Sequence, residues 1–111
     1  MSTPIVRLLL IEDDQIDRLA CRRALSRLAD SVFEIHETDL ARDGLAYART
    51  HHPDLILLDY RLPDLNGVEV LSQLCMSEDA PPVIMLTGAG DISIAVEAMR
   101  SSYSGISLTV Q

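Results

Sequence analysis

Short apolar runs that each end in an acidic or hydroxyl residue recur along this chain of 111 residues. The runs and the polar residues that follow them are 8–11 with Glu12, Asp13 and Asp14, 55–58 with Asp59, and 83–86 with Thr87. A short uninterrupted apolar run is typical of a strand that is buried on both faces of a parallel sheet. The pattern therefore predicts a sheet whose strands end in polar side chains.

Segments with the apolar period of helices separate these runs, and the alternation favours an α/β domain with a parallel sheet. Strands are predicted over 5–11, 33–38, 54–59, 81–87 and 105–110, and helices over 15–29, 40–50, 67–77 and 91–100. The predicted sheet-facing stripe of the first helix contains Ile16, Leu19, Ala20, Ala24 and Leu28.

The chemistry is expected at the carboxyl ends of the strands, where open parallel sheets bind their ligands. There the acids after the first and third strands should meet the hydroxyl of Thr87 after the fourth. Clustered carboxylates bind hard divalent cations, so Mg²⁺ is the expected cofactor. Asp14 is predicted to cap the helix that follows it, because an acidic side chain at that position accepts hydrogen bonds from the first turn.

Composition limits the function classes. Seventeen acidic against nine basic residues give a net charge of −8, which disfavours direct binding of nucleic acid. The chain has neither an apolar run of bilayer length nor a signal-peptide pattern, so a cytoplasmic location without membrane insertion is expected. Cys21 and Cys75 are expected to be free thiols, His51 and His52 to lie in a solvated turn, and His36 has no evident partner.

Three segments resemble the receiver domain of two-component response regulators: 8–18 (LLLIEDDQIDR), 54–71 (DLILLDYRLPDLNGVEVL) and 82–91 (PVIMLTGAGD). Asp59, Pro63 and Gly67 have the spacing of that family's phosphorylation loop. The resemblance covers residues 5–100 of a predicted single domain, 1–111, with a divergent tail at 101–111. It implies a flavodoxin-like three-layer sandwich around a five-stranded parallel sheet of order 2-1-3-4-5.

The resemblance also implies roles for the strand-end residues. Asp59 would be the phosphoacceptor. The Mg²⁺ ligands would be Asp13, Asp59, the backbone carbonyl of Arg61, and Glu12 through a water molecule. Thr87 would bind the phosphoryl group, which the small residues Gly88 and Ala89 allow to approach.

The tail departs from the family. Thr109 stands where the family has a Lys that contacts the phosphoryl group, and the chain contains no Lys. A hydroxyl brings no charge and reaches less far. No residues remain for a fifth helix, so the sheet face over Val83, Met85 and 106–110 is expected to lack cover, which favours self-association.

These features predict a receiver domain of a phosphorelay. A histidine kinase or His-phosphotransfer protein would phosphorylate Asp59, and the domain would then switch a partner or an output domain. It would be no enzyme beyond catalysing its own phosphorylation and dephosphorylation. The alternative is a degenerate receiver that acts as a phosphorylation-independent binding or dimerisation module. A Mg²⁺-dependent phosphohydrolase is disfavoured, because Arg61 occupies the place of the second acid that such an enzyme needs.

Overall fold

The chain folds into a parallel sheet with helices on both faces. The structure, a computed structural model, describes residues 5–27, 32–76 and 79–86 and the backbone of 108–110. The strands are β1 (Ile5–Ile11), β2 (Val32–Thr38), β3 (Leu55–Asp59), β4 (Val83–Leu86) and β5 (Leu108–Val110), and the helices are α1 (Gln15–Ser26), α2 (Ala41–His51) and α3 (Gly67–Leu74). The strand order β2-β1-β3-β4-β5 confirms the predicted topology. The helix predicted over 91–100 lies outside the described residues. None of the described helices has the length and apolarity that crossing a membrane requires.

The core has two halves, one on each face of the sheet, as continuous apolar strands require. On the first face, apolar side chains of β1, β3 and β4 meet Cys21 and Leu25 of α1. On the second face, the alternate residues of the same strands meet α2 and α3. Val83 and Met85 belong to this second half and are 1% and 3% exposed. The prediction that they lack cover was therefore wrong: it placed them on the wrong face of β4.

The N-terminus of α1 confirms one prediction and corrects another. The Asp14 carboxylate accepts hydrogen bonds from the N–H groups of Ile16 at 2.8 Å and Asp17 at 3.2 Å, so it is the predicted cap. The predicted apolar stripe is wrong in part, because Ile16 and Leu19 are 78% and 49% exposed. Ala24 packs against the core as predicted, and Leu28 lies outside the described residues.

Two arginines on one flank of α1 form ion pairs with β2 and hold the helix in its orientation on the sheet. Arg18 Nε lies 3.2 Å from a carboxylate oxygen of Glu37 on β2, and Arg22 Nε donates to the same carboxylate at 2.7 Å. With this flank held against β2, the buried residues of α1 are Cys21 and Leu25, four positions apart, and Ala24 packs beside them.

Helix α2 packs closely on β1 because Gly44 has no side chain. A Cβ atom there would lie 2.7 Å from Cγ1 of Ile11, which is shorter than such contacts allow. Where α2 meets β2, the partly buried Tyr47 ring stacks on His36 at 3.8 Å and on His51 at 4.2 Å between ring centroids. His36 therefore has an aromatic partner, contrary to the prediction. His51 and His52 are exposed where the helix ends, as predicted.

Candidate metal and phosphoryl site

Adjacent strands place the predicted acids side by side. β1 pairs with β3 through Ile11 and Leu58, so the residues that follow, Glu12 and Asp59, leave the sheet at the same level. One carboxylate oxygen from each of Glu12, Asp13 and Asp59 lies within 4.8 Å of the other two. The structure thus brings together three acids that the strand-end argument grouped, while their role as ligands stays a prediction.

Glu12 is the most buried of the three, at 3% exposure. Its Oε1 accepts a hydrogen bond from the N–H of Asp14 at 3.1 Å. Burial raises the pKa of Glu12 to about 8, against the lowering effect of that hydrogen bond, and the neighbouring charges of Asp59, Asp17 and Asp13 raise it further. At neutral pH and without a cation, this carboxyl group therefore tends to keep its proton.

Asp59 is half-buried at the end of β3. Burial raises the pKa of its carboxyl group, while hydrogen bonds from the Arg61 N–H and with the Glu12 side chain partly offset the rise. Three crowded oxygen donors that are costly to ionise together fit a hard divalent cation, whose charge favours their ionised forms. The donor set at this site therefore suits Mg²⁺ or a similar ion.

The loop between β3 and α3 is anchored at both ends. Its first N–H, from Tyr60, donates to the carbonyl of Leu86 on β4 at 2.9 Å. The N–H of Gly67 returns to the carbonyl of Tyr60 at 2.7 Å, and Arg61 pairs with Asn66 in an isolated antiparallel bridge. These bonds close residues 60–66 into a compact turn directly beside Asp59.

Gly67 explains the spacing that sequence reasoning noticed between Asp59 and this glycine. A Cβ at Gly67 would lie 2.7 Å from Cα of Tyr60 and 3.2 Å from the carbonyl oxygen of Asp59. Only a glycine lets α3 begin so close to the end of β3 without displacing backbone. The Asn66 side chain caps the same helix by accepting from the Glu69 N–H at 2.9 Å.

Comparison with known proteins decides the family. The family model described as "Response regulator receiver domain" matches residues 8–106. This chain belongs to that family.

Relatives of this receiver domain agree. The regulatory protein AtoC of Escherichia coli (strain K12) is 34% identical over 99 residues, which cover 88% of this chain and 21% of AtoC. The cell cycle transcriptional regulator CtrA of Caulobacter vibrioides (strain NA1000 / CB15N) is 34% identical over 93 residues, which cover 83% of this chain and 38% of CtrA. The receiver domain thus spans well under half of the length of either protein.

Solved structures show the same fold. The MaeR response regulator bound to beryllium trifluoride is 26% identical and superposes with a TM-score of 0.68, covering 87% of this chain and 79% of that one. The match supports the described arrangement of strands and helices.

Arg18 is a residue of this receiver domain whose role was not predicted from the sequence. Its Nη1 donates to the backbone carbonyl of Glu12 at 2.8 Å, while its Nε faces Glu37. The side chain therefore holds the turn that presents Glu12 and Asp13. The available signal in the sequence was an Arg six residues after the first acid, at the end of the segment 8–18.

The residues that are predicted to bind the phosphoryl group are described only in part. Thr87, Gly88 and Ala89 lie outside the described residues. The backbone of β5 pairs Thr109 with Met85 and Val110 with Leu86, and Leu86 pairs in turn with Asp59. Thr109 therefore stands on β5 one residue before the level of Asp59, and its assignment to the family's Lys position stays a prediction.

Proposed function

We propose that this receiver domain accepts a phosphoryl group on Asp59 from a phosphohistidine of a histidine kinase or a His-phosphotransfer protein. The observation that carries the proposal is the convergence of Glu12, Asp13 and Asp59 at the end of the sheet. Asp59 is the acid of this cluster at the end of a central strand, next to a loop of defined shape. These are the features that a nucleophilic carboxylate needs: a fixed position and controlled solvation.

The transfer exchanges one bond for another. A carboxylate oxygen of Asp59 forms a bond to phosphorus as the P–N bond to the imidazole breaks. The electron pair of that bond stays on the nitrogen, which takes up a proton. Both the nucleophile and the phosphoryl group are anionic, so a bound Mg²⁺ supplies the neutralising charge that such a reaction requires. The proposed ligands are the side chains of Asp13 and Asp59 and the backbone carbonyl of Arg61, with Glu12 acting through a water molecule.

Thr87, with Gly88 and Ala89, is proposed to receive the phosphoryl oxygens. MaeR, which shares this fold and is 26% identical, binds beryllium trifluoride. That group resembles a phosphoryl group in shape and charge, so we expect the same compound to bind at Asp59 here. The domain acts on itself only, gaining and losing one phosphoryl group, and is not proposed to turn over other substrates.

The phosphorylated domain is proposed to change its affinity for an output domain or a partner protein in the cytoplasm. AtoC and CtrA are named as a regulatory protein and a transcriptional regulator, and each extends well beyond the matched segment. The net charge of −8 makes this domain itself a poor surface for nucleic acid.

The test is phosphorylation with acetyl phosphate and Mg²⁺, followed by intact-mass measurement. We expect one added phosphoryl group in the wild type, none in Asp59→Asn, and one in Asp43→Asn, whose exposed acid lies on α2. Incorporation at another residue, or none in the wild type, would contradict the proposal. The second of these results is the outcome expected of a degenerate receiver.

A further inference from the structure

The N-terminus of α2 is capped by a residue from another part of the chain. The N–H of Ala41 donates to Oδ1 of Asp64 at 2.8 Å, and the N–H of Arg42 donates to Oδ2 at 3.0 Å. The residue at the N-cap position itself, Leu40, makes no such bond. In contrast, α1 and α3 are capped by the side chains that directly precede them, Asp14 and Asn66. Helix α2 thus depends on a carboxylate from the loop that follows the phosphoacceptor.

Both oxygens of Asp64 take part, so the contact fixes the direction of the side chain as well as its distance. The carboxylate faces the positive end of the α2 dipole, where negative charge is favoured. Burial acts to raise the pKa of Asp64, but the hydrogen bonds from Arg42 and Ala41 prevail and the pKa is lowered. The group therefore stays ionised at neutral pH and acts as a charged acceptor for both amides.

The contact connects the loop that follows Asp59 with the strand that precedes Glu12 and Asp13. Asp64 lies in the loop of residues 60–66, three positions after Arg61. Helix α2, which it binds, packs against β1 at the contact between Gly44 and Ile11. The residue after Ile11 is Glu12, so a path of direct contacts runs from the loop through α2 to the strand that carries the first two acids.

We propose that Asp64 is a positioning residue for the metal and phosphoryl site: it ties the loop carrying Arg61 to α2 and thereby holds that loop in register with Glu12 and Asp13. This inference rests on the proposed function, because the site it positions is the proposed Mg²⁺ site. The competing explanation is that Asp64 only stabilises a helix that lacks its own cap. Removal of Asp64 by itself affects both roles, so a second substitution is needed to separate them.

Leu40 offers that substitution. It has the extended backbone of a capping residue, with φ −122° and ψ 144°, so an Asp at this position has the conformation from which a side chain caps a helix. The double variant Asp64→Ala/Leu40→Asp restores a cap to α2 while leaving the loop untied. The single variant Leu40→Asp shows what the new side chain does while Asp64 still binds the N-terminus of α2.

Three measurements separate the loop, the metal site and the stability of the fold. Hydrogen exchange of the amides of residues 60–67 reports whether the loop is held, and it needs no metal. Titration calorimetry with Mg²⁺ reports the affinity of the site, and thermal melting reports the stability of the fold. In Asp64→Ala we expect faster exchange in the loop, a lower melting temperature, and Mg²⁺ binding weakened by roughly tenfold or more, as for other groups that orient metal ligands.

In the double variant we expect the melting temperature to recover, while loop exchange stays fast and Mg²⁺ binding stays weak. Recovery of all three quantities would overturn the inference, because Asp64 would then be a helix cap only. Wild-type exchange and affinity in Asp64→Ala would overturn it as well. If Asp64→Ala does not fold, Asp64→Asn, which retains one carbonyl acceptor, takes its place in the single and the double variant, and the same outcomes support or overturn the inference.

Failure of the proposed function gives a different pattern. A wild-type chain that does not bind Mg²⁺ contradicts the metal site, and with it any positioning of that site by Asp64. Failure of the inference alone appears instead as a wild type that binds Mg²⁺ and an Asp64→Ala variant that binds it equally well.

Discussion

Glu12 and Asp59, at the ends of the neighbouring strands β1 and β3, hold carboxylate oxygens within 4.8 Å of each other. Mg²⁺ should relieve the repulsion in this cluster and stabilise the fold, since it binds the folded form and not the unfolded chain. We expect millimolar Mg²⁺ to raise the wild-type melting temperature by a few degrees. Asp13→Asn should remove most of that rise, whereas Asp43→Asn, on exposed α2, should keep it. Equal shifts in the two variants would place the cation elsewhere.

The pH dependence of the metal-free protein follows from Glu12. Burial raises the pKa of this group from 4.5 to about 8, so the folded state holds the proton more tightly than the unfolded state. The free energy of unfolding should therefore fall as the pH rises through this window, by at least about 1 kcal/mol. Urea denaturation in EDTA at the two ends of the window measures this slope.

Glu12→Gln should flatten that slope, while Glu34→Gln, on the exposed side of β2, should leave it unchanged. The apparent affinity for Mg²⁺ should rise with pH over the same range, because the cation binds the deprotonated carboxylate. A slope that persists in Glu12→Gln would assign the titration to another group.

Gly67→Ala should destabilise the fold. The added methyl group would lie 2.7 Å from Cα of Tyr60, and backbone must move to admit it. We expect a loss of roughly 1–3 kcal/mol in the free energy of unfolding. Val68→Ala at the next, exposed position should cost less than about 1 kcal/mol. Chemical denaturation of both variants compares the two effects, and equal losses would mean that the close approach of α3 is not what requires the glycine.

A lysine introduced into β5 tests the effect of the Lys that the family has and this chain lacks. Thr109→Lys should strengthen binding of beryllium trifluoride, because an ammonium group near Asp59 would attract the anionic group. The β5 register pairs Val110, and not Thr109, with the residue beside Asp59. Calorimetric titration of Thr109→Lys and Val110→Lys therefore compares the two positions. If only Val110→Lys binds beryllium trifluoride more tightly, the position that corresponds to the family's Lys is Val110 and not Thr109.

Self-association should occur through β5, which ends the described sheet at the edge opposite β2. An edge strand carries backbone groups that can pair with a second chain. We expect the mass from light scattering to rise with concentration, and Val110→Pro, which removes a backbone donor, to reduce the rise. A mass of 12.2 kDa at all concentrations would identify a monomer.

Much of the fold could be predicted from the sequence because its signals are local. The side chains of a run such as 55–58 are all apolar, so their removal from water can be predicted from residue type alone. Once the runs are parallel strands, Glu12 and Asp59 must leave the sheet at one end, whatever the details of packing. The caps of α1 and α3 were equally open to prediction, since Asp14 and Asn66 directly precede the helices they cap.

Tertiary structure alone decided the features that join distant residues. The side of α1 that faces the sheet holds Cys21, Ala24 and Leu25 but not Ile16 or Leu19, because the orientation of the helix is set by its fit to the layer beneath it and not by burial of every apolar side chain. The pKa of Glu12 depends on how much water the folded chain removes from one carboxyl group. The cap of α2 comes from Asp64, in a loop beyond β3. Sequence specifies local periodicity and capping chemistry, whereas burial and contacts across the sheet exist only after the whole domain has closed around them.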